Sequence, residues 1–224
     1  APRAGLVHVP INPVLKAAQV RHILSDSGAR LMIANTGRLA ALDEDDVPDA
    51  CAVIDEKLAA EQAQGCDPIR PSAADTDALA AILYTSGSTG KPKGVMLSHA
   101  NMWLGAESVA EYLGISPDDR VLAVLPLAFD YGQNQMLSTW YGGGAVVPID
   151  YLLPREVVKA VEKHRITTLA AVPPLWVQLL EQDWPEAAVA PLLRLTNTGG
   201  ALGEALLRRL RAQFPDARLF AMYG

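Results

Sequence analysis

Cysteine is scarce in this chain of 224 residues: only Cys51 and Cys66 occur, fifteen positions apart. No C-x-x-C pair and no Cys/His cluster is present, which excludes a zinc or dithiol site of the usual spacing. So few thiols fit a reducing compartment, and the cytoplasm is the expected location. A long apolar run is missing too. The longest uncharged stretch, Tyr131 to Ile149, is interrupted by Gln133, Asn134, Gln135, Gly142, Gly143, Gly144 and Pro148. A membrane span needs about 20 predominantly apolar residues, so none is expected. No basic–apolar–small leader opens the chain. Positive charge is in deficit: Lys and Arg number 19 against 25 Asp and Glu, a net charge of −6. That balance gives no general pull toward nucleic acid or anionic lipid. Any phosphate ligand must be held by local geometry. Hydrophobic residues make up 50% and charged residues 20%, too apolar for a disordered chain. G-x-G-x-x-G, H-E-x-x-H and G-x-S-x-G are absent as well, so the common dinucleotide, zinc-protease and serine-hydrolase readings fail.

What is present is an alternation. Helical patterns are expected from Val14 to Ser25, His99 to Leu113, Gly132 to Tyr141, Arg155 to His164, Pro174 to Gln182 and Gly203 to Gln213. Between them lie short apolar runs at 31–34, 52–54, 79–84, 95–97, 121–125, 145–147, 168–172, 193–196 and 218–222. Strands alternating with helices of about ten residues imply an α/β protein with largely parallel sheets and flanking helices. The acidic cluster Asp43, Glu44, Asp45, Asp46 and Asp49 reads as a solvated loop, and Glu61 to Asp77 as a connector. Two lobes are expected, 1–115 and 116–224. The chain opens on Ala1, and Tyr223-Gly224 follows a strand pattern without a polar exit, so a piece of a longer protein is expected.

One loop carries chemistry. Thr85-Ser86-Gly87-Ser88-Thr89-Gly90-Lys91-Pro92-Lys93-Gly94 sits between two strand patterns and holds four hydroxyls, three glycines and two lysines. Glycines let backbone N–H groups converge on an anion, hydroxyls add rotatable donors, and lysine adds a movable positive charge. The alternative is a flexible surface linker, which Gly and Ser also make. A linker, however, has no use for two lysines and a proline between two core strands. The loop is not a Walker A loop, because Gly90-Lys91 is followed by Pro92 and a strand rather than Ser or Thr and a helix.

Tyr84 to Gly94, continued through Leu97-Ser98-His99-Ala100-Asn101, closely resembles the signature loop of the AMP-forming adenylating enzymes: acyl-CoA synthetases, luciferases and peptide-synthetase adenylation domains. Gly5 to Pro13 resembles an upstream segment of acyl-CoA synthetases. Thr198-Gly199-Gly200-Ala201 resembles the family's adenine-side turn, and Tyr223-Gly224 the start of its Tyr-Gly-x-Thr-Glu motif. The resemblance covers essentially the whole chain. It implies an incomplete N-terminal domain of the acyl-CoA synthetase-like fold.

It also implies roles. Thr85, Ser86, Gly87, Ser88, Thr89, Gly90 and Lys93 would hold the ATP phosphates; Lys91 would face solvent. Gly199, Gly200, Ala201 and Tyr223 would hold adenine. Phe129, Asp130 and Thr198 would belong to the acyl or amino-acid pocket. ATP and Mg²⁺ are the implied cofactors, and coenzyme A or a phosphopantetheine thiol the acceptor, so a small-molecule acid and a carrier protein are the implied partners. The family's Thr-Glu pair with its Mg²⁺-binding glutamate, its ribose-binding aspartate and its late lysine would lie beyond Gly224, so no catalytic or metal-ligating set is complete here. The isolated chain is therefore expected to be inactive. Phe129-Asp130 is similar to amino-acid-activating domains, where the aspartate pairs with the substrate ammonium; Asp130 could equally cap the helix that comes after it. Trp103, Trp140, Trp176 and Trp184 are expected as packing residues, with Trp140 and Trp176 candidates for an acyl pocket. A non-catalytic nucleotide-binding module is the alternative to a ligase, and a purely structural domain would leave the loop unexplained.

Overall fold

Apolar runs bounded by turn residues become strands, and the amphipathic stretches between them become helices. The computed structural model describes residues 1–85 and 91–222. The chain divides into two compact units, Ala1–Met102 and Trp103–Gly224.

The first unit contains α1 (Ala17–Ser27), β1 (Leu31–Ala34), α2 (Thr36–Leu39), β2 (Ala52–Asp55), α3 (Glu56–Ala63), β3 (Leu79–Thr85) and β4 (Lys93–Ser98). The helix expected from Val14 starts later because Asn12 nucleates a turn. Its Oδ1 accepts the Val14 N–H at 3.1 Å and its carbonyl the Leu15 N–H at 3.1 Å. With Pro13 behind it, that turn keeps 13–16 out of the helix. Gly28 ends α1 in the left-handed region, φ +63°. β1 and β2 pair in parallel, Leu31 opposite Ala52, over a small core of Val20, Leu24, Met32 and Cys51. Cys51 is thus a packing residue, and burial pushes its thiol pKa up, while Cys66 is exposed.

The acidic cluster is not wholly a solvated loop. Asp46 is buried and accepts the Asp43 N–H at 3.0 Å and the Arg21 guanidinium at 2.9 Å. Buried carboxylates persist only with such compensation. The connector expected from Glu61 also begins later, because α3 continues to Ala63 from its cap, Asp55, which accepts the Lys57 N–H at 2.8 Å. β3 and β4 form an antiparallel hairpin with Tyr84 opposite Gly94 and Thr85 opposite Lys93.

α4 (His99–Leu113) starts at its expected residue. Ser98 Oγ accepts the Asn101 N–H at 3.1 Å, and Asn101 Oδ1 accepts the Ser98 N–H at 3.2 Å. Such a cap contributes about 1 kcal/mol. The division between units falls inside α4, earlier than the boundary expected after residue 115. The later turns of α4 pack with residues further along the chain: Trp103 meets Tyr141 edge-on at 5.2 Å, and the Leu113 carbonyl accepts from Arg194 Nε.

The second unit continues with β5 (Arg120–Ala123), α5 (Asp130–Tyr141), β6 (Ala145–Pro148), α6 (Pro154–His164), β7 (Thr168–Ala171), α7 (Pro173–Leu179), α8 (Glu186–Val189), β8 (Arg194–Asn197), α9 (Glu204–Gln213) and β9 (Arg218–Ala221). Its strands form one parallel sheet in the order β6-β5-β7-β8-β9. All four residues of the central strand β7 are buried, as a parallel strand covered on both faces requires. Leu122, Val157, Ile166, Leu169, Trp176, Leu195 and Phe214 are among the core residues around it. Each fully buried aliphatic side chain contributes roughly 1.5–3 kcal/mol.

The N-terminal ends of β5, β7 and β8 share one anchor. Asp119, 2% exposed, accepts from Arg194 Nη1 at 2.6 Å and Thr167 Oγ1 at 2.7 Å on one oxygen. Its other oxygen accepts the Ser116 N–H at 2.8 Å and Ser116 Oγ at 3.0 Å. Arg194 also donates to the Leu113 and Gly114 carbonyls, so the end of α4 joins the same network.

Candidate active site

In the first unit, the hairpin mouth brings together two of the predicted phosphate residues. Thr85 ends β3 and Lys93 begins β4, directly across the ladder, and both are exposed. Lys93 forms no ion pair among the described residues, and Lys91 is exposed as expected. Ser86, Gly87, Ser88, Thr89 and Gly90 lie outside the described residues, as does Tyr223. Gly94 is forced by its neighbours: a Cβ there would stand 2.6 Å from Ile82 Cγ2 and 3.1 Å from Tyr84 Cζ. The Tyr84 ring therefore lies across the partner strand, and its hydroxyl donates to Asp26 at 2.6 Å. Burial, with Asp26 beside it, pushes the phenol pKa well up, so the hydroxyl stays a donor.

In the second unit, the predicted pocket and adenine residues come after the C-terminal ends of parallel strands. That edge is where open α/β sheets bind ligands. Asp130 comes after β5, Thr198 and the turn Gly199-Gly200-Ala201 after β8, and Met222 after β9. A cleft of about 630 Å³ is lined by Asp130, Tyr131, Asn134, Thr198, Tyr112 and the segment Leu219–Met222, among others. Asp130 and Thr198, far apart in sequence, thus meet in one cavity. Phe129 is set apart from it: its ring packs on the core and reaches within 3.5 Å of where a Gly199 Cβ would stand.

Asp130 is the first residue of α5, whose N-cap, Phe129, makes no side-chain cap hydrogen bond. The capping role weighed for Asp130 is therefore not what the structure displays; the carboxylate is exposed at the cleft. It also sits beside the positive end of the helix, where a carboxylate is favoured. Gly132 lets α5 turn in tightly here, since a Cβ would stand 2.1 Å from the Pro126 carbonyl oxygen. The β8 turn is built by Gly199 at φ +69° and by Asn197 Nδ2, which donates to the Gly200 carbonyl at 2.8 Å. Gly199, Gly200 and Ala201 are exposed, leaving their backbone accessible.

Sequence reasoning missed Tyr112, Asn134 and Phe220. Asn134 had a readable signal, because it stands four residues after Asp130 on one helical face. Its Oδ1 is buried without a partner among the described residues. Tyr112 and Phe220 had none: they meet at 6.3 Å only through the fold. Tyr131 lines the cleft but is committed to the core side, donating to Thr196 Oγ1 at 3.2 Å. Two tryptophans considered for an acyl pocket do not reach this cleft. Trp176 is fully buried in the core, and Trp140 is 58% exposed. His99 and His164 have no acidic partner among the described residues.

A second cleft, of about 400 Å³, opens where β5 and β7 begin, lined by Asp118, Arg120, Lys163, His164, Arg165 and Thr167. Lys163 and His164 there complement the carbonyl end of α6. Among the described residues, no group of three or more His, Cys, Asp or Glu side chains could hold a metal ion. Nor, among them, is any helix long and apolar enough to cross a membrane.

Comparison with known proteins gives consistent matches. The AMP-binding enzyme family matches residues 1–224. Bacitracin synthase 3 of Bacillus licheniformis is 31% identical over 224 residues, covering 99% of this chain and 3% of that protein. Among solved structures, VinN in complex with L-aspartate is 30% identical with a TM-score of 0.82, covering 99% of this chain and 57% of that one. O-succinylbenzoate coenzyme A synthetase of Bacillus subtilis, in complex with ATP and magnesium, is 27% identical with a TM-score of 0.81, covering 96% and 44%. The chain thus spans about half the length of these solved structures and a small share of the peptide synthase.

Proposed function

The chain belongs to the AMP-binding enzyme family, and from that premise we propose that it is the nucleotide- and acid-binding part of an ATP-dependent, AMP-forming ligase that activates an amino acid. A carboxylate oxygen of the substrate attacks the α-phosphorus of ATP, the bond to the bridging oxygen breaks, and pyrophosphate leaves with the electron pair. The sulfur of a thiol, either coenzyme A or the phosphopantetheine of a carrier protein, then attacks the aminoacyl carbonyl, and AMP leaves as the thioester forms. Positioning and charge neutralisation dominate such a step. Thr85, Lys93 and the loop between them take the β- and γ-phosphates, with Mg²⁺ accompanying them. The turn Gly199-Gly200-Ala201 offers backbone to the adenine, together with Tyr223.

The observation that carries the amino-acid reading is the exposed Asp130 carboxylate in the cleft with Thr198. An ammonium entering there finds a fixed counter-charge, and each group offsets the other's desolvation. VinN, solved with L-aspartate, supports this reading. The synthetase of a plain dicarboxylic acid supports the competing one. ATP–pyrophosphate exchange by the natural full-length protein separates them, with amino acids and their des-amino analogues run side by side. Exchange that needs the amino group is the expected result. Exchange with plain acids alone would keep the ligase and return Asp130 to helix-end electrostatics. No exchange with either panel would favour a non-catalytic nucleotide-binding module.

Lys93→Ala in that protein is expected to raise the KM for ATP about tenfold to a hundredfold, the size of one lost charge-assisted hydrogen bond. An unchanged KM would remove Lys93 from the phosphate site. Residues 1–224 on their own are expected to give no adenylate above background, because the similar structures solved with AMP or ATP are about twice as long. Exchange at the rate of the full-length protein would overturn that.

A further inference from the structure

The two stems of the hydroxyl-rich loop are both tied to α1, by residues one helical turn apart. Tyr84, the residue before Thr85, donates its hydroxyl to Asp26 at 2.6 Å. Pro92, the residue before Lys93, has its carbonyl oxygen 2.9 Å from His22 Nε2. The His22 and Tyr84 rings meet edge-on at 6.4 Å and 82°. Gly94 completes the arrangement by leaving room for the Tyr84 ring. Both anchors stand immediately outside the predicted phosphate residues, and neither is one of them.

Two features of α1 show that these side chains are not there for the helix or its core. Its buried positions are Val20, Ile23 and Leu24, whereas Asp26 is exposed and His22 only half-buried. Asp26 also lies in the last turn of α1, where no basic residue occurs. A carboxylate at a helix C-terminus opposes the macrodipole and is disfavoured there. The hydrogen bond from the Tyr84 hydroxyl offsets that small cost.

We infer that Asp26 and His22 are positioning residues for the phosphate loop: Asp26 fixes the incoming stem through Tyr84, and His22 fixes the outgoing stem through the Pro92 carbonyl. The inference rests on the phosphate-binding reading of the loop proposed for this chain. Pinning both stems before nucleotide arrives lowers the ordering cost that binding would otherwise meet. Because the Asp26–Tyr84 bond is largely exposed, its loss acts on the loop far more than on the core.

The test uses ATP–pyrophosphate exchange by the natural full-length protein at saturating acid, with thermal unfolding in parallel. Tyr84→Phe and Asp26→Ala are each expected to raise the KM for ATP roughly fivefold to tenfold, one net hydrogen bond's worth. The KM for the acid substrate and the unfolding temperature should stay close to those of the parent. The double variant should be no worse than Tyr84→Phe alone, since that substitution already removes the contact to Asp26 together with the one to Ser27. Asp26→Asn, which keeps an acceptor oxygen, should recover most of the loss. An unchanged ATP KM in both single variants, while Lys93→Ala raises it, would overturn the brace and leave the loop reading intact. Additive losses, or losses that track a falling unfolding temperature, would also overturn it. If Lys93→Ala has no effect either, the loop reading fails and the brace fails with it.

Discussion

Asp119→Ala is expected to destabilise the second unit by about 3–5 kcal/mol, the cost of removing one partner from a buried ion pair. The loss leaves the Arg194 guanidinium, whose side chain is 13% exposed, with the Leu113 and Gly114 carbonyls and a long contact to Thr168 Oγ1 but no counter-charge. It also frees the Thr167 and Ser116 donors that now meet on the carboxylate. Domains of this size are stable by about 5–15 kcal/mol, so urea unfolding should show a much lower midpoint. The same group sets a pH dependence. Burial alone would raise the Asp119 pKa, but hydrogen bonds from Thr167, Ser116 and Arg194 outweigh it and hold the carboxyl below its ordinary value. A depressed folded-state pKa gives stability that is present above the unfolded carboxylate value of about 3.9 and lost as pH falls through the lower folded value. Asp119→Asn should therefore flatten the acid limb of the stability profile. A limb of unchanged steepness would show that other carboxylates govern it.

Asp130→Asn in the full-length protein is expected to cut the preference for an amino acid over its des-amino analogue by about a hundredfold. That corresponds to roughly 3 kcal/mol, within the range for truncating one side of a desolvated charge pair. The des-amino substrate should be used as well as before, or better, since it no longer faces an uncompensated carboxylate. Stability should change little, because Asp130 is exposed and is not the N-cap residue of α5. A preference ratio equal to the parent's would end the ammonium-reading role, whatever happens to the absolute rates.

Much of the second unit was legible in advance, because its signals are local. The strands β6 to β9 and the helices α4, α5, α6 and α9 fall within two residues of the positions read from apolar runs and helical patterns. The short helices α2 and α8 were missed, since one turn leaves no periodicity to detect. Asp46 and Asp119 were misread or passed over for one reason: a carboxylate in a run of acids looks solvated until a distant guanidinium is placed beside it. Arg21 and Arg194 supply that partner only after folding, across 25 and 75 residues. The same limit hid Tyr112 and Phe220 in the cleft. Asp130 and Thr198 were named from the family resemblance, and Asp26 and His22 were invisible because nothing in α1 announces a tie to a hairpin some 60 residues later.

The parallel sheet of the second unit has its two ends assigned to different tasks. The Asp119–Arg194 network closes the ends where β5, β7 and β8 begin, and Asp130, Thr198 and Met222 come after the ends where β5, β8 and β9 finish. Four-residue strands at about 3.3 Å per residue put roughly 13 Å between those ends. Substitutions that far apart, sharing no partner, combine additively. Selection, natural or in the laboratory, can therefore remodel the cleft for a new acid without drawing on the anchor. Variants that tolerate many cleft changes should be those in which Asp119, Arg194 and Thr167 are left alone.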